Sequence, residues 1–460
     1  MHMLDLSKIK KVYIIGIKGS GVVGIAQILK NGGMEVMGSD TEEKFFTDEV
    51  LKKNEIPYFE GFSVDNIPTD VDLVVYSTAY KSENNVEMKA VAERNIPMLS
   101  YPEILAQLFS QKYGIAICGT HGKTTTSAML AYVLDKIGEN PTAVIGGRVR
   151  QWGGNAIVGQ GEFFVLEADE YQNKLALYEP KAAILTSVEY DHPDFYPNFE
   201  DYKKVFADFI MKIPLTGFLM AWGDSVNTNE VAQNCPAKVL KYGYGKDNDL
   251  VIENYSFSEK KQQFEIFFSG ESLGFFEIKL VGKHNVLNAS AIIGVCHRLG
   301  LDLQKVREAL ADFEGTTRRF ETIGWRNGAL LIDDYGHHPE EINVTLKAAR
   351  EIYPEKNIIA VFHPHSYSRT EALLHDFAQS FDGADKVIVL DIYGSARESS
   401  GKVSSPDLVK LINKYNRDKA EYVPTIDETV NHLRDKISEQ DVVITIGAGN
   451  VFEVAHKLKQ

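Results

Sequence analysis

Residues 113–126 read YGIAICGTHGKTTT, and this stretch decides the fold. Tyr113 to Cys118 is an apolar strand, Gly119 to Thr126 a glycine-bearing loop, and Ser127 to Ile137 a helical pattern, so the loop caps a helix N-terminus. Gly119 and Gly122 let the backbone come close to a ligand. The amides of Thr120, His121 and Thr125 and the helix dipole favour negative charge, Lys123 supplies a point charge, and the Thr124 hydroxyl can ligate Mg²⁺. A nucleoside triphosphate is the ligand this predicts, with ATP expected. The spacing GxxGKT is shorter than GxxxxGKT, which sets the loop apart from the ordinary phosphate loop. A glycine-rich turn with a chance lysine is the plainer alternative, and the flanking strand and helix weigh against it.

At 460 residues the chain is too long for one ordinary core and suggests roughly three domains at about 150 residues each. A formal charge of −15 disfavours a nucleic-acid groove, and the Lys8, Lys10, Lys11 cluster reads as a solvated surface. Cys118, Cys235 and Cys296 stand far apart with no CxxC pair, so neither a disulfide framework nor a zinc site is indicated. No apolar run approaches the roughly 18 residues of a membrane span, and Val12 to Ile17 ends in a glycine loop where a cleavage site would be needed. A soluble cytoplasmic protein, monomer or dimer, is expected.

Before the phosphate loop, a strand from Val12 to Ile15 leads into Gly19-Ser20-Gly21-Val22-Val23-Gly24, a GxGxxG. A helix from Ile25 to Lys30, a strand ending at Ser39-Asp40 and a third from Leu73 to Ser77 complete a Rossmann-like unit suited to a dinucleotide or nucleotide diphosphate, with Asp40 about 20 positions past the glycines. After the loop come strands Phe163 to Leu166 and Ala182 to Ser187, then a helix with Phe199, Tyr202, Phe206, Phe209, Ile210 and Ile213 on one core face. Alternation between about Leu250 and Val281 predicts antiparallel hairpins. From Glu321 strands and helices alternate again: Ala329 to Ile332, Asn357 to Phe362, Lys386 to Leu390 and Val442 to Ile446. The expected fold is α/β in three domains: 1–111 Rossmann-like, 112–320 a central phosphate-loop ATPase-like unit, and 321–460 doubly wound.

Polar groups concentrate at strand ends, where ligands of open α/β sheets collect. Glu167 ends one strand and His192 follows the next, so both can complete a cation shell begun by Thr124, with Mn²⁺ able to replace Mg²⁺. His284, Asn285 and Asn288 open a helix and suit a purine edge. Arg318 and Arg319 sit at a domain boundary, where a guanidinium reaches a terminal phosphate on closure. Asp333-Asp334-Tyr335-Gly336-His337-His338-Pro339 packs acid, phenol and imidazoles onto one loop. Read without the phosphate loop, these groups are solvated polars, a helix cap and surface arginines.

In order along the chain, GIKGSG, GTHGKTTT, LEADE, EYDH, GKHNxxNA, GTTRRFE, DDYGHHP, HPHSYSRT, LDIYGSARE and GAGN resemble the Mur ligase family, the ATP-dependent amide-bond formers of peptidoglycan assembly and cell-wall biogenesis. The motifs look most like the branch that joins L-alanine to UDP-N-acetylmuramate. The resemblance implies that Gly19, Ser20, Gly21, Asp40, Ser77 and Asn155 face the UDP-sugar. It also implies that ATP is bound by residues 119–125, His284, Asn285, Asn288, Arg319 and Asp334, and metal by Thr124, Glu167 and His192. Tyr335, His365 and Arg369 would face the amino acid, and Lys123, His192, Arg318, Arg319, His337 and His338 would serve catalysis, a third-domain histidine taking the amine's proton.

Three positions depart from the branch's usual pattern. Tyr171-Gln172 follows Glu170, the tyrosine being closer to the murein peptide ligase branch; Ser187 replaces an asparagine; and His365-Ser366-Tyr367-Ser368-Arg369 lacks one arginine. The functional expectation is an ATP-dependent ligase that forms an amide through an acyl phosphate. A murein peptide ligase, or a relative adding another amino acid, is the alternative within the family. An NAD-dependent oxidoreductase would leave GTHGKTTT idle, and a non-catalytic nucleotide scaffold would not need Lys123, Glu167 and His192.

Overall fold

The computed structural model describes residues 4–258, 261–394 and 400–460. Three sheets follow one another along the chain. The first is fully parallel, in the spatial order Tyr58–Glu60, Glu35–Asp40, Lys11–Ile15, Leu73–Tyr76, Met98–Ser100. Its two edge strands are only three residues each, too short for a periodic signal, and were not expected from sequence. The first helix begins at Ser20, inside GxGxxG, and not at Ile25.

The central sheet has ten strands, with Tyr113–Cys118 between Ala182–Leu185 and Phe163–Glu167. All three run parallel, so their carboxyl ends share one edge. Three antiparallel strands, Leu250–Ser258, Lys261–Phe268 and Glu271–Ile278, extend it, as the alternation predicts. The third sheet is parallel apart from its first strand, Glu321–Arg326, which pairs antiparallel with Ala329–Asp334. That edge strand escaped the sequence reading because only Ile323 and Gly324 of its six residues are buried.

One apolar cluster runs unbroken from Val12, Ile14, Ile25 and Phe109 of the first unit into Ala116, Leu166, Tyr202 and Phe206 of the second. Gly24 makes this approach possible: a Cβ there would lie 3.2 Å from Val144 and 3.3 Å from Ala156. The C-terminal unit keeps its own clusters on the two faces of its sheet. It meets the central unit through the linker, where Arg150 N donates to Gly315 O at 3.2 Å and Thr317 N to Arg148 O at 2.9 Å. No helix among the described residues is long and apolar enough to cross a membrane.

Candidate active site

The phosphate loop turns into its helix earlier than the apolar pattern predicts. The helix is Lys123–Lys136, and Gly122 before it has φ +79°, the left-handed region where glycine is unstrained. A Cβ at Gly122 would also lie 3.0 Å from Asn288 Oδ1, so the loop and the helix start at Lys283 nearly touch. Lys123 belongs to the first helical turn and is not a free cation on the surface. Its ammonium donates to the carbonyls of Gly119 and Thr120 and pairs with Glu170 at 2.9 Å, the two side chains being 14% and 1% exposed. Burial opposes this charge, but Glu170 and Asp169 hold the lysine pKa above its ordinary value.

The expected cation trio divides. Thr124 Oγ1 donates to Glu167 Oε1 at 2.7 Å, and Gly146 N donates to the other carboxylate oxygen at 2.6 Å. His192 falls instead into a group with Asp169 and Glu170, whose ligand atoms all lie within 4.8 Å of one another and to which Glu167 does not belong. The physical reason is Glu170, which stands between Lys123 on one side and His192 Nε2, 3.8 Å away, on the other. Thr124 and Glu167 thus offer hard oxygen donors beside the loop, a set that fits Mg²⁺ or Mn²⁺. Glu170 lay inside the LEADE motif but no role was expected for it.

A cavity of about 400 Å³ opens between the central and C-terminal units, walled by Trp222 and Tyr242, by His284, Asn285 and Asn288, and by Arg319, Asp334 and Glu341. Gly122 and Thr125 form its floor. Burial pushes the His284 imidazole down to about 4, so the ring is neutral, and its buried Nδ1 has no partner among the described residues. Asn285 and Asn288 are partly spent on each other: Asn288 Nδ2 donates to Asn285 Oδ1 at 3.2 Å, and Asn285 Nδ2 donates to Val281 O at 2.7 Å. Asp334 accepts from Phe320 N and Gly336 N at 2.8 Å each, one bond per oxygen.

The two arginines part company. Arg319 lines the cavity, with Nη1 3.9 Å from Glu341 and its guanidinium over the Tyr335 ring at 5.2 Å. Arg318 corrects the catalytic expectation: at φ +59° it turns into the C-terminal unit, where Nε donates to Asp333 at 2.9 Å and Nη2 to Gly447 O at 2.6 Å. The left-handed backbone at Arg318 sends the two side chains to different sides, so only Arg319 lines the cavity.

The acceptor-side expectation also needs correction. Arg369 Nε donates to Asp191 Oδ1, and the two side chains are 7% and 6% exposed. Its remaining Nη1 lies 3.4 Å from His365 Nδ1. The guanidinium is therefore a bolt between units and not an open anchor for an amino-acid carboxylate. Ser366 has φ +67° and caps the next helix, its hydroxyl accepting from Arg369 N at 3.3 Å. The two histidines are poor bases. Burial drives His337 down to about 3, while its backbone N–H donates to Glu341 Oε2 at 2.8 Å. His338 is occupied at both nitrogens: Nδ1 accepts from Glu340 N at 3.3 Å to cap the helix Pro339–Ile352, and Nε2 meets Tyr190 O at 3.2 Å. Tyr335 stacks edge-on against His337 at 5.4 Å. Residues 395–398, the end of LDIYGSARE, lie outside the described residues.

On the first sheet, Asp40 is saturated: Lys18 N donates to Oδ2 at 2.6 Å, while Thr41 N and Tyr80 OH reach Oδ1 at 2.8 and 3.2 Å. It ties its own loop together, contrary to the open ligand-binding carboxylate that a dinucleotide fingerprint predicts. Ser77 Oγ accepts from Ala79 N at 3.4 Å. Asn155 bridges units, its Nδ2 donating to Ser20 O and, at 3.0 Å, to Ile145 O, while its buried Oδ1 has no partner among the described residues. Asp191, Glu189 and Glu341 are the groups that the sequence reading left without a role. Asp191 and Glu189 stood in the quoted EYDH, but their partners lie far along the chain.

Family models match this chain in three consecutive stretches: the catalytic domain of the Mur ligase family over residues 11–113, the Mur ligase middle domain over 117–296, and the glutamate ligase domain over 318–449. The UDP-N-acetylmuramate--L-alanine ligase of Desulfitobacterium hafniense is 40% identical over 449 residues, 97% of this chain and 99% of that one. Its counterpart from Caldanaerobacter subterraneus is 39% identical over 462 residues, 99% and 98% of the two chains. The crystal structure of the UDP-N-acetylmuramate-alanine ligase of Thermotoga maritima superposes with a TM-score of 0.81 at 28% identity, over 97% of this chain and 98% of that one. The chain belongs to the Mur ligase family. It is an ATP-dependent ligase.

Proposed function

We propose that this chain joins L-alanine to the carboxylate of UDP-N-acetylmuramate, in the cytoplasm, with ATP converted to ADP and phosphate. The observation that carries the reading is one cavity whose floor is the phosphate loop and whose far wall, including Arg319, comes from the C-terminal unit. Such a cavity can hold a nucleotide whose terminal phosphate meets groups from both units.

Carboxylates do not condense with amines unaided at neutral pH. In the proposed sequence a carboxylate oxygen of the sugar attacks the γ-phosphorus, the bond to the β–γ bridging oxygen breaks, and an acyl phosphate forms. The amine nitrogen then attacks the acyl carbon and phosphate departs. Lys123 exchanges its contact with Glu170 for phosphate oxygens, and Arg319 approaches from the cavity's opposite wall. His284 presents a neutral ring and the Asn288 amide lies beside Gly122, the two together facing the base. Thr124 and Glu167, with His192 nearby, would hold Mg²⁺ or Mn²⁺, which when bound offsets charge on the terminal phosphates. Since His337 is a weak base and His338 is doubly engaged, the departing phosphate is the nearest acceptor for the amine's proton.

The test is phosphate release with ATP and UDP-N-acetylmuramate across the amino acids and a short peptide led by L-alanine. L-Alanine is expected to give the highest kcat/KM. A preference for the peptide would move the chain to murein peptide ligation, a reading favoured by Tyr171, whose ring lies 4.7 Å from His192 and whose hydroxyl donates to Asp194.

A further inference from the structure

His121 is the third residue of the phosphate loop, yet both its ring nitrogens meet carboxylates from outside the loop. Nε2 lies 3.1 Å from Glu189 Oε2 of the central unit, and Nδ1 lies 3.2 Å from Glu341 Oε1, on the first turn of the C-terminal helix Pro339–Ile352. Carboxylate oxygens at hydrogen-bond distance from both nitrogens require a proton on each, so the group is an imidazolium. The His338 ring packs over it at 4.6 Å, and His338 Nε2 faces the Tyr190 carbonyl. The cluster is therefore an ion-paired clasp and not a set of metal ligands, since both ring nitrogens and the facing carboxylates are already used. Glu341 is in turn held by His337 N at 2.8 Å and flanked by Arg319 Nη1 at 3.9 Å. One carboxylate thus touches the phosphate loop, the cavity arginine and the histidine loop.

We propose that His121 is a positioning residue that fastens the phosphate loop to the C-terminal unit through Glu341, so that Arg319 reaches the nucleotide only when the clasp is made. Glu189 supplies the fixed side, because Glu189 N donates to Thr120 Oγ1 at 2.8 Å and Thr120 Oγ1 donates back to Glu189 O. Glu341 supplies the moving side. The inference rests on the ligase reading above and adds to it a residue that acts through domain closure and not through contact with substrate.

The test compares the parent with His121→Gln, Glu341→Gln and the double variant. Each single change is expected to lower kcat for phosphate release at least tenfold while KM for ATP moves less than threefold. The double variant should be no slower than the slower single, because both changes open the same clasp. Small-angle scattering of the chain without substrates is expected to show a larger radius of gyration for each variant than for the parent. Additive losses in the double variant, a raised KM for ATP with kcat intact, or unchanged radii would each overturn the proposal. A parent that releases no phosphate with these substrates counts against the ligase reading alone, since the scattering comparison uses no substrate and still decides the clasp.

Discussion

Arg369 Nε and Asp191 Oδ1 lie 2.8 Å apart, and Nη2 and Oδ2 3.3 Å apart, in a buried two-pronged pair that joins positions 178 residues apart in sequence. Breaking a buried pair by removing one partner leaves an uncompensated charge and costs about 3–5 kcal/mol. Arg369→Ala is therefore expected to lower kcat for every acceptor tested and to lower the melting temperature. KM values for ATP and for the amino acid should move together, where an acceptor anchor would shift only the second.

Lys123→Ala removes the only side-chain ammonium of the phosphate loop. Phosphate release is expected to fall by about 10² or more, and the melting temperature to fall with it, because buried Glu170 loses its partner. Lys123→Arg, which keeps a cation beside Glu170, is expected to lower activity with a smaller loss of stability. The neighbouring change Glu170→Gln tests the resting pair: it frees Lys123 from its carboxylate, and ATP is expected to bind with a lower Kd in the absence of metal.

Metal dependence separates the two carboxylate groups. Glu167→Gln removes the negative charge beside Thr124 while keeping an oxygen that can accept its hydrogen bond, and should raise the Mg²⁺ concentration for half-maximal activity by tenfold or more. His192→Ala should raise it by less, because His192 sits with Asp169 and Glu170 and apart from the Thr124–Glu167 pair. Equal shifts for the two variants would place both residues on one ion.

The histidines predict an optimum of stability near pH 6.5. Burial holds His284 and His363 at about 4 and His337 at about 3, so the folded chain takes up fewer protons than the unfolded one between those values and 6.5. Stability from these groups falls as pH drops through that window. For His121 burial opposes the charge, yet the hydrogen bonds to Glu189 and Glu341 push the pKa up to about 10. Its contribution is complete below 6.5 and is lost as pH rises toward 10. Melting temperature against pH should peak near 6.5, with His337→Asn flattening the acid limb and His121→Gln the alkaline limb.

Ser366→Arg, which on sequence grounds would restore a missing guanidinium, is expected instead to impair the enzyme. The position already carries the strain of φ +67° and its hydroxyl caps the helix Tyr367–Ala372, so the change loses a cap worth about 1 kcal/mol where the backbone has no stability to spare. A drop in kcat for all acceptors, without tighter L-alanine binding, is the outcome to look for in steady-state kinetics.

What sequence made legible follows distance along the chain. The strand Tyr113–Cys118, the phosphate loop and the antiparallel strands after Leu250 are local patterns of apolar spacing and turn chemistry, and they were read directly. Apolar spacing puts the helix start at Ser127, four residues late, because Lys123 to Thr126 are polar, although Thr125 and Thr126 are buried. The clasp at Glu341 and the bolt at Asp191 were out of reach. His121 and Glu341 are 220 residues apart, and nothing in the spacing of either motif says that the other exists. The division between Arg318 and Arg319 was invisible for a different reason: it depends on a left-handed backbone at a non-glycine residue, which composition does not announce.

The apolar cluster that runs from Val12 and Phe109 into Leu166 and Phe206 makes the first two sheets one unit of inheritance. A gene spliced at Gln111 would bare half of that interior on each fragment, so recombination between relatives is constrained to carry residues 1 to about 315 as a block. The C-terminal unit, which keeps its own apolar clusters on both faces of its sheet, is the portion whose interior survives exchange. Any exchanged unit must still bring Arg319, Glu341 and Arg369, because these meet the cavity, His121 and Asp191 of the block that stays behind.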